Sequence, residues 1–128
     1  MKVLIVDDSG PIRKLLGQML KDLGFQTMEA IHGKDALDKL LANQDIELVM
    51  LDWDMPEMTG IELLEALRTM RDKFPKRPTV VMVTTNNQME KIVHAMTKGA
   101  NEYIMKPFTK EILQEKLALL GLLGHPRG

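Results

Sequence analysis

Cysteine is absent from this 128-residue chain, so disulfides and thiolate metal sites are excluded and a reducing compartment suits it. No charge of one sign dominates: seventeen basic residues against eighteen acidic ones leave a net charge of −1. That balance offers neither nucleic acid nor a membrane surface an electrostatic footprint. No apolar stretch approaches membrane-spanning length, and the apolar part of "MKVLIVDD" is too short for a secretion signal. A cytoplasmic monomer is the expectation. Internal repeats, low-complexity stretches and linkers are also missing. The three histidines, His32, His94 and His125, show no metal-ligand spacing.

What is present belongs to a globular domain, with 45% hydrophobic and 27% charged residues. The length allows one real core but not two ordinary domains. The eleven methionines are scattered and read as core filler. Short apolar runs alternate with segments of helical period. The runs 2–6, 25–30, 47–52, 79–85 and 102–105 read as strands, the second as an edge because it is more polar. Between them, helical spacing predicts five amphipathic segments. Their inward faces are Ile12, Leu15, Leu16, Met19, Leu20 and Leu23; Ala36, Leu37, Leu40 and Leu41; Ile61, Leu64, Leu67 and Met70; Ile92, Val93 and Met96; and Ile112, Leu113, Leu117 and Leu120. Gly24 and Gly99 stop two of them. Alternation of this kind predicts an α/β fold, a parallel sheet covered by helices on both faces. Right-handed crossovers favour the flavodoxin-like, doubly wound order 2-1-3-4-5. Residues 1–120 make the domain, and the Gly- and Pro-containing tail 121–128 is expected to fray.

The chemistry gathers at the strand ends. The first strand is followed by Asp7 and Asp8, the third ends in Asp52 within "LDWDMPEMTG", the fourth in Thr84 and Thr85, and the fifth runs into Lys106 and Pro107. In a parallel sheet these carboxyl ends share one edge, where such folds bind ligands. An Asp after a strand is ordinarily a turn former or cap, and Thr84 or Lys106 alone would be unremarkable. As a set they differ, because clustered acids raise one another's pKa unless a cation is near. Oxygen donors without His or Cys suit a hard ion, Mg²⁺ above all. A carboxylate beside Mg²⁺ and an ammonium is a workable nucleophile toward phosphorus, with an aspartyl phosphate as product.

"VLIVDDS", "VMLDWDMPEMTGIELL", "VVMVTT" and "YIMKPF", in that order and spacing, resemble the receiver domain of two-component response regulators, of the stand-alone, chemotaxis (CheY-like) type. The resemblance covers about residues 2–120. It implies that Asp52 accepts a phosphoryl group from a sensor histidine kinase. It also implies that Asp8, Asp52 and the Asp54 backbone carbonyl hold Mg²⁺, with Asp7 assisting through water. Lys106 and Thr84 would contact the phosphoryl group, Tyr103 would be the switch aromatic, and the peptide bond between Lys106 and Pro107 would be cis. The responsive surface would be the face of the fourth helix, fifth strand and fifth helix, with Lys91, His94 and Lys110 as candidate contacts. A downstream protein, a flagellar motor switch or a phosphotransfer protein, would read that face. The chain would be a phosphoacceptor switch that catalyses only its own phosphorylation and dephosphorylation, rather than an enzyme acting on an external substrate. Asp54, Thr85 and Asn86 depart from common members of the family at positions linked to phosphoryl lifetime.

Two other readings compete. "DWD" at 52–54 fits the start of a haloacid-dehalogenase-type phosphatase motif, although Asp7 and Asp8 then lie on the wrong side of it. A scaffold that is never phosphorylated should have lost part of the site, and this chain retains all five residues. A flavin binder of the same strand order is excluded by the two negative charges of "DDSGP", where a phosphate would need hydroxyls and glycine. Arg13, within the first helix, reads as a surface residue.

Overall fold

A computed structural model describes residues 1–52, 60–73, 78–84 and 89–122, with the backbone alone for 60, 61 and 71. Five strands, β1 (Lys2–Val6), β2 (Gln26–Ala30), β3 (Ile46–Asp52), β4 (Thr79–Thr84) and β5 (Glu102–Met105), alternate with five α-helices. The helices are α1 (Gly10–Asp22), α2 (Gly33–Ala42), α3 (Gly60–Thr69), α4 (Met89–Thr97) and α5 (Lys110–Leu119), with a 3-10 turn at Arg71–Lys73. All strand pairs are parallel and the order is β2-β1-β3-β4-β5. This is the doubly wound arrangement that the alternation predicts.

The central strands carry unbroken apolar runs, Val3–Val6, Leu48–Leu51 and Val80–Val83, because alternate residues enter different cores. Leu4, Val6, Val49, Leu51, Val80 and Met82 face α2, α3 and α4, where they meet Ala36, Leu40, Leu63, Leu64 and Ala95. Val3, Ile5, Leu48, Met50, Val81, Val83 and Ile104 face α1 and α5, against Leu16, Leu20, Leu113 and Leu117. Each such Leu, Ile or Val, fully withdrawn from water, contributes roughly 1.5–3 kcal/mol.

Helix boundaries follow local chemistry. Ser9 caps α1, its hydroxyl accepting from the Ile12 N–H, and Pro11 occupies the first turn, where no N–H is needed. His32 caps α2 by accepting the Asp35 N–H at Nδ1, and Asp35 accepts the Ile31 N–H in return. Gly24 and Gly99, with φ of 95° and 118°, turn the chain out of α1 and α4 in a conformation that side chains with a Cβ avoid.

Several helical positions expected to face inward do not. On α4 the core receives Ile92 and Ala95, whereas Val93 and Met96 are 54% and 38% exposed. Leu15 on α1 and Ile112 on α5 are exposed as well. On α3 Leu63 joins Leu64 in the core, a position the expected stripe omitted. In each case the apolar arc is wider than the sheet can cover, and contact with the strands selects part of it. Ala95 packs where Met96 was expected because a small residue allows the helix to lie close to the sheet.

These assignments fix a contrast in stability. Leu40→Ala, which empties a position that is 1% exposed, is expected to lower unfolding free energy by about 2–5 kcal/mol. Val93→Ala should change it by no more than about 0.5 kcal/mol. Urea denaturation of both variants checks the pair, and comparable losses would return Val93 to the core.

Candidate functional site at the carboxyl edge of the sheet

The sheet delivers three acids and a lysine to one place. β1 continues one residue beyond its end, since the Asp7 N–H bonds the Ala30 carbonyl at 3.2 Å. Likewise the Lys106 N–H bonds the Thr84 carbonyl at 2.8 Å, tying the residue after β5 to the end of β4. Asp52 closes β3 beside Val83. Backbone pairing, not loop conformation, therefore places Asp7, Asp52, Thr84 and Lys106. The peptide bond between Lys106 and Pro107 is cis.

Carboxylate oxygens of Asp7, Asp8 and Asp52 lie within 4.8 Å of one another. Asp7 is almost wholly buried, Asp52 partly so, and Asp8 is exposed. The Lys106 ammonium stands 3.1 Å from Asp7 Oδ2 and 3.5 Å from Asp52 Oδ1. Asp7 Oδ1 accepts the Ser9 N–H at 2.9 Å, so its two oxygens are committed to different partners. Among the described residues Asp52 has no comparable support. Burial first, and then repulsion from Asp7, push its carboxyl up to about 6, with Lys106 acting against the rise. The donor set is all oxygen, carries excess negative charge and has one exposed member, which is the character of a site for a hard divalent cation.

Arg13 is not a simple surface residue. Its guanidinium donates from Nη1 to the Asp7 carbonyl at 2.7 Å and from Nε to Glu29 Oε1 at 2.9 Å, with the side chain only 17% exposed. It clamps the acidic turn to the end of β2. The available sequence signal was its position four residues after the Ser9 cap, which sets it one turn into α1 above the strand ends. Nearby, Ile12, Leu15, Leu16, Lys106, Pro107 and Phe108 line a cleft of about 350 Å³.

Thr84, at the end of β4, is buried. Tyr103, on β5, is partly buried and packs on the core beneath α2, α3 and α4. Lys91, His94 and Lys110 are exposed. Asp54, Thr85 and Asn86, and most of the tail from 121 to 128, lie outside the described residues.

A parallel five-stranded sheet with acids after its first and third strands and a lysine after its fifth defines a class of protein rather than a single activity. The family model for the response regulator receiver domain matches residues 3–118. The chain belongs to that family. Among curated relatives, chemotaxis protein CheY1 of Helicobacter pylori is 40% identical over 121 residues, spanning 94% of this chain and 96% of the relative. Chemotaxis protein CheY-3 of Vibrio cholerae is 44% identical over 118 residues, spanning 91% and 88%. Among solved structures, the chemotaxis response regulator CheY4 of Vibrio cholerae superposes with a TM-score of 0.84 at 34% identity, covering 93% of this chain and 97% of that one. A CheY-like receiver domain from Methanospirillum hungatei gives 0.80 at 31% identity, covering 93% and 91%. The phosphatase and scaffold readings find no support in these matches. No helix among the described residues is long and apolar enough to cross a membrane.

The raised Asp52 carboxyl has a consequence for stability. Between its unfolded value of 3.8 and its folded value of about 6, the folded chain binds the proton more tightly. Stability from this group is therefore full below that window and is lost as pH rises through it. With metal removed by chelation, Asp52→Asn is expected to equal wild type near pH ~4 and to exceed it by about 1–2 kcal/mol above pH ~7, the figure being reduced for the solvent that reaches the carboxylate. Urea titrations across that range test it, and a constant difference would dissociate the gain from ionisation.

Proposed function

We propose that the chain is a chemotaxis-type response regulator whose phosphoacceptor is Asp52. The observation that carries this reading is a partly buried carboxylate with an elevated pKa, set against two further acids and one lysine at the ligand-binding edge of the sheet. The donor would be a phosphohistidine of a sensor kinase. An Asp52 carboxylate oxygen attacks phosphorus, the P–N bond breaks, and the departing imidazole takes up a proton from water. The product is an acyl phosphate on Asp52.

Phosphoryl transfer asks the protein chiefly for position and for positive charge at the phosphoryl oxygens. Lys106 is placed to leave Asp52 and meet one of those oxygens, while it keeps Asp7 as a second partner. The Thr84 hydroxyl approaches from the end of β4. Asp8 and Asp52, with Asp7 and the Asp54 carbonyl, would hold Mg²⁺, whose role is to neutralise charge on the acids and the phosphoryl group. Ionised Asp52 is the attacking species, and at neutral pH it is already the major form.

The added phosphoryl charge, about −1.5 to −2 with strong acceptor oxygens, draws Thr84 toward it. Tyr103 follows as the switch aromatic, and the α4, β5 and α5 face changes the partner it favours. The exposed apolar side chains of α4, Met89, Val93 and Met96, belong to that face. A flagellar motor switch protein would be the downstream partner, a reading that agrees with the chemotaxis names of the relatives, and the cytoplasm would be where the exchange takes place.

Incubation with Mg²⁺ and acetyl phosphate, read by intact mass, tests the assignment. One phosphoryl increment is expected, absent in Asp52→Asn and after chelation. Lys106→Met should slow its appearance by about a hundredfold. Mg²⁺ at tenfold its Kd should add about 1.4 kcal/mol to wild-type stability, and markedly less to Asp52→Asn. Donor hydrolysis without an adduct, or an adduct that survives in Asp52→Asn, would overturn the reading.

A further inference from the structure

β5 is an edge strand, and what lies along its open side is built from three residues. The Lys106 N–H points into the sheet toward Thr84, so alternation directs the Tyr103 N–H away from β4. That outward donor is taken by Oε1 of the preceding residue, Glu102, at 2.9 Å. The same Oε1 receives the Lys116 ammonium at 3.3 Å. Lys116 Nζ in turn sits over the Tyr103 ring, 4.7 Å from its centre. Glu102, Tyr103 and Lys116 thus close a loop in which one carboxylate oxygen anchors the Tyr103 backbone and a cation held by that oxygen covers its ring.

The two sides of the sheet explain why Lys116 reaches so far. α5 commits Leu113 and Leu117 to the core beneath α1 and α5, whereas Tyr103 packs on the opposite core. Lys116 extends around the strand edge from one side to the other. Its side chain is only 28% exposed, and that of Glu102 22%, so the contact is shielded from competing water better than an ordinary surface pair.

We infer that Lys116 is a positioning residue that holds the Tyr103 ring in the unphosphorylated protein, through its closed contact with Glu102. The inference rests on the reading of Tyr103 as the switch aromatic. Movement of the ring requires the cation–π contact to be given up, so Lys116 sets the balance between the two ring positions without touching the phosphoryl site. Among the described residues its ammonium contacts Glu102 and Tyr103, not the acid cluster.

The chain has a single tyrosine, so fluorotyrosine in the full-length protein gives one fluorine resonance. Wild type in Mg²⁺, with and without beryllium fluoride as phosphoryl mimic, marks two positions. Lys116→Met, without the mimic, is expected to move toward the mimic-bound position, the ratio of ring states changing about two- to fivefold. Lys116→Arg, which keeps a cation over the ring, should stay at the wild-type position. A resonance unmoved in Lys116→Met, or displaced equally in both variants, would overturn the inference. If beryllium fluoride leaves wild type unmoved while Lys116→Met alone displaces the signal, the hold on Tyr103 stands and its switch role falls.

Discussion

The Lys106 ammonium between Asp7 and Asp52 is the contact on which the arrangement turns. Two carboxylates a few ångströms apart at the rim of an apolar core repel by roughly 4 kcal/mol at an effective dielectric near 20. A cation at 3.1 and 3.5 Å from them offsets that repulsion. It does so unevenly. Asp7 also has the Ser9 amide, whereas among the described residues Asp52 has Lys106 alone, and burial leaves it reluctant to ionise. Asp52, which burial and Asp7 make reluctant to ionise, is intermediate in burial between Asp7 and exposed Asp8, in reach of solvent.

That unevenness comes from where each strand's pairing stops. β1 pairs one residue past its end with Ala30 of β2, and the chain then turns back so that the Ser9 amide meets Asp7, which is almost wholly buried. β3 is followed by a crossover, and β5 lies at the edge of the sheet, so Asp52 and Lys106 meet from the two sides of β4. Ladder bonds that run past the strand ends, from Asp7 to Ala30 and from Lys106 to Thr84, hold these positions within a hydrogen bond's tolerance. Mutual placement of charges therefore has the rigidity of a sheet, while the loops beyond remain available for specificity.

Most of this was legible in the sequence. The five strands, their order and the convergence of Asp7, Asp8, Asp52, Thr84 and Lys106 all follow from apolar runs that end in polar residues. The helical faces were less legible. α4 carries Met89, Ile92, Val93, Ala95 and Met96, an arc so broad that periodicity supports more than one inward direction, and large side chains attract the eye where Ala95 makes the contact. Arg13 and Lys116 were missed for a related reason. Both have long stems that lie along the surface before the charge finds its partner, and those partners, the Asp7 carbonyl and the Tyr103 ring, are distant in sequence. Composition records the charge but not where the stem lies.

The Glu102 carboxylate also bears on assembly. An edge strand ordinarily offers alternate N–H and carbonyl groups to any extended chain that approaches, which is how sheets fuse across molecules. Here a side chain has already accepted the Tyr103 N–H, and an ammonium stands beside it. A second strand would have to displace both to bond at Tyr103. At this point the margin presents a paired carboxylate and ammonium in place of a free backbone donor.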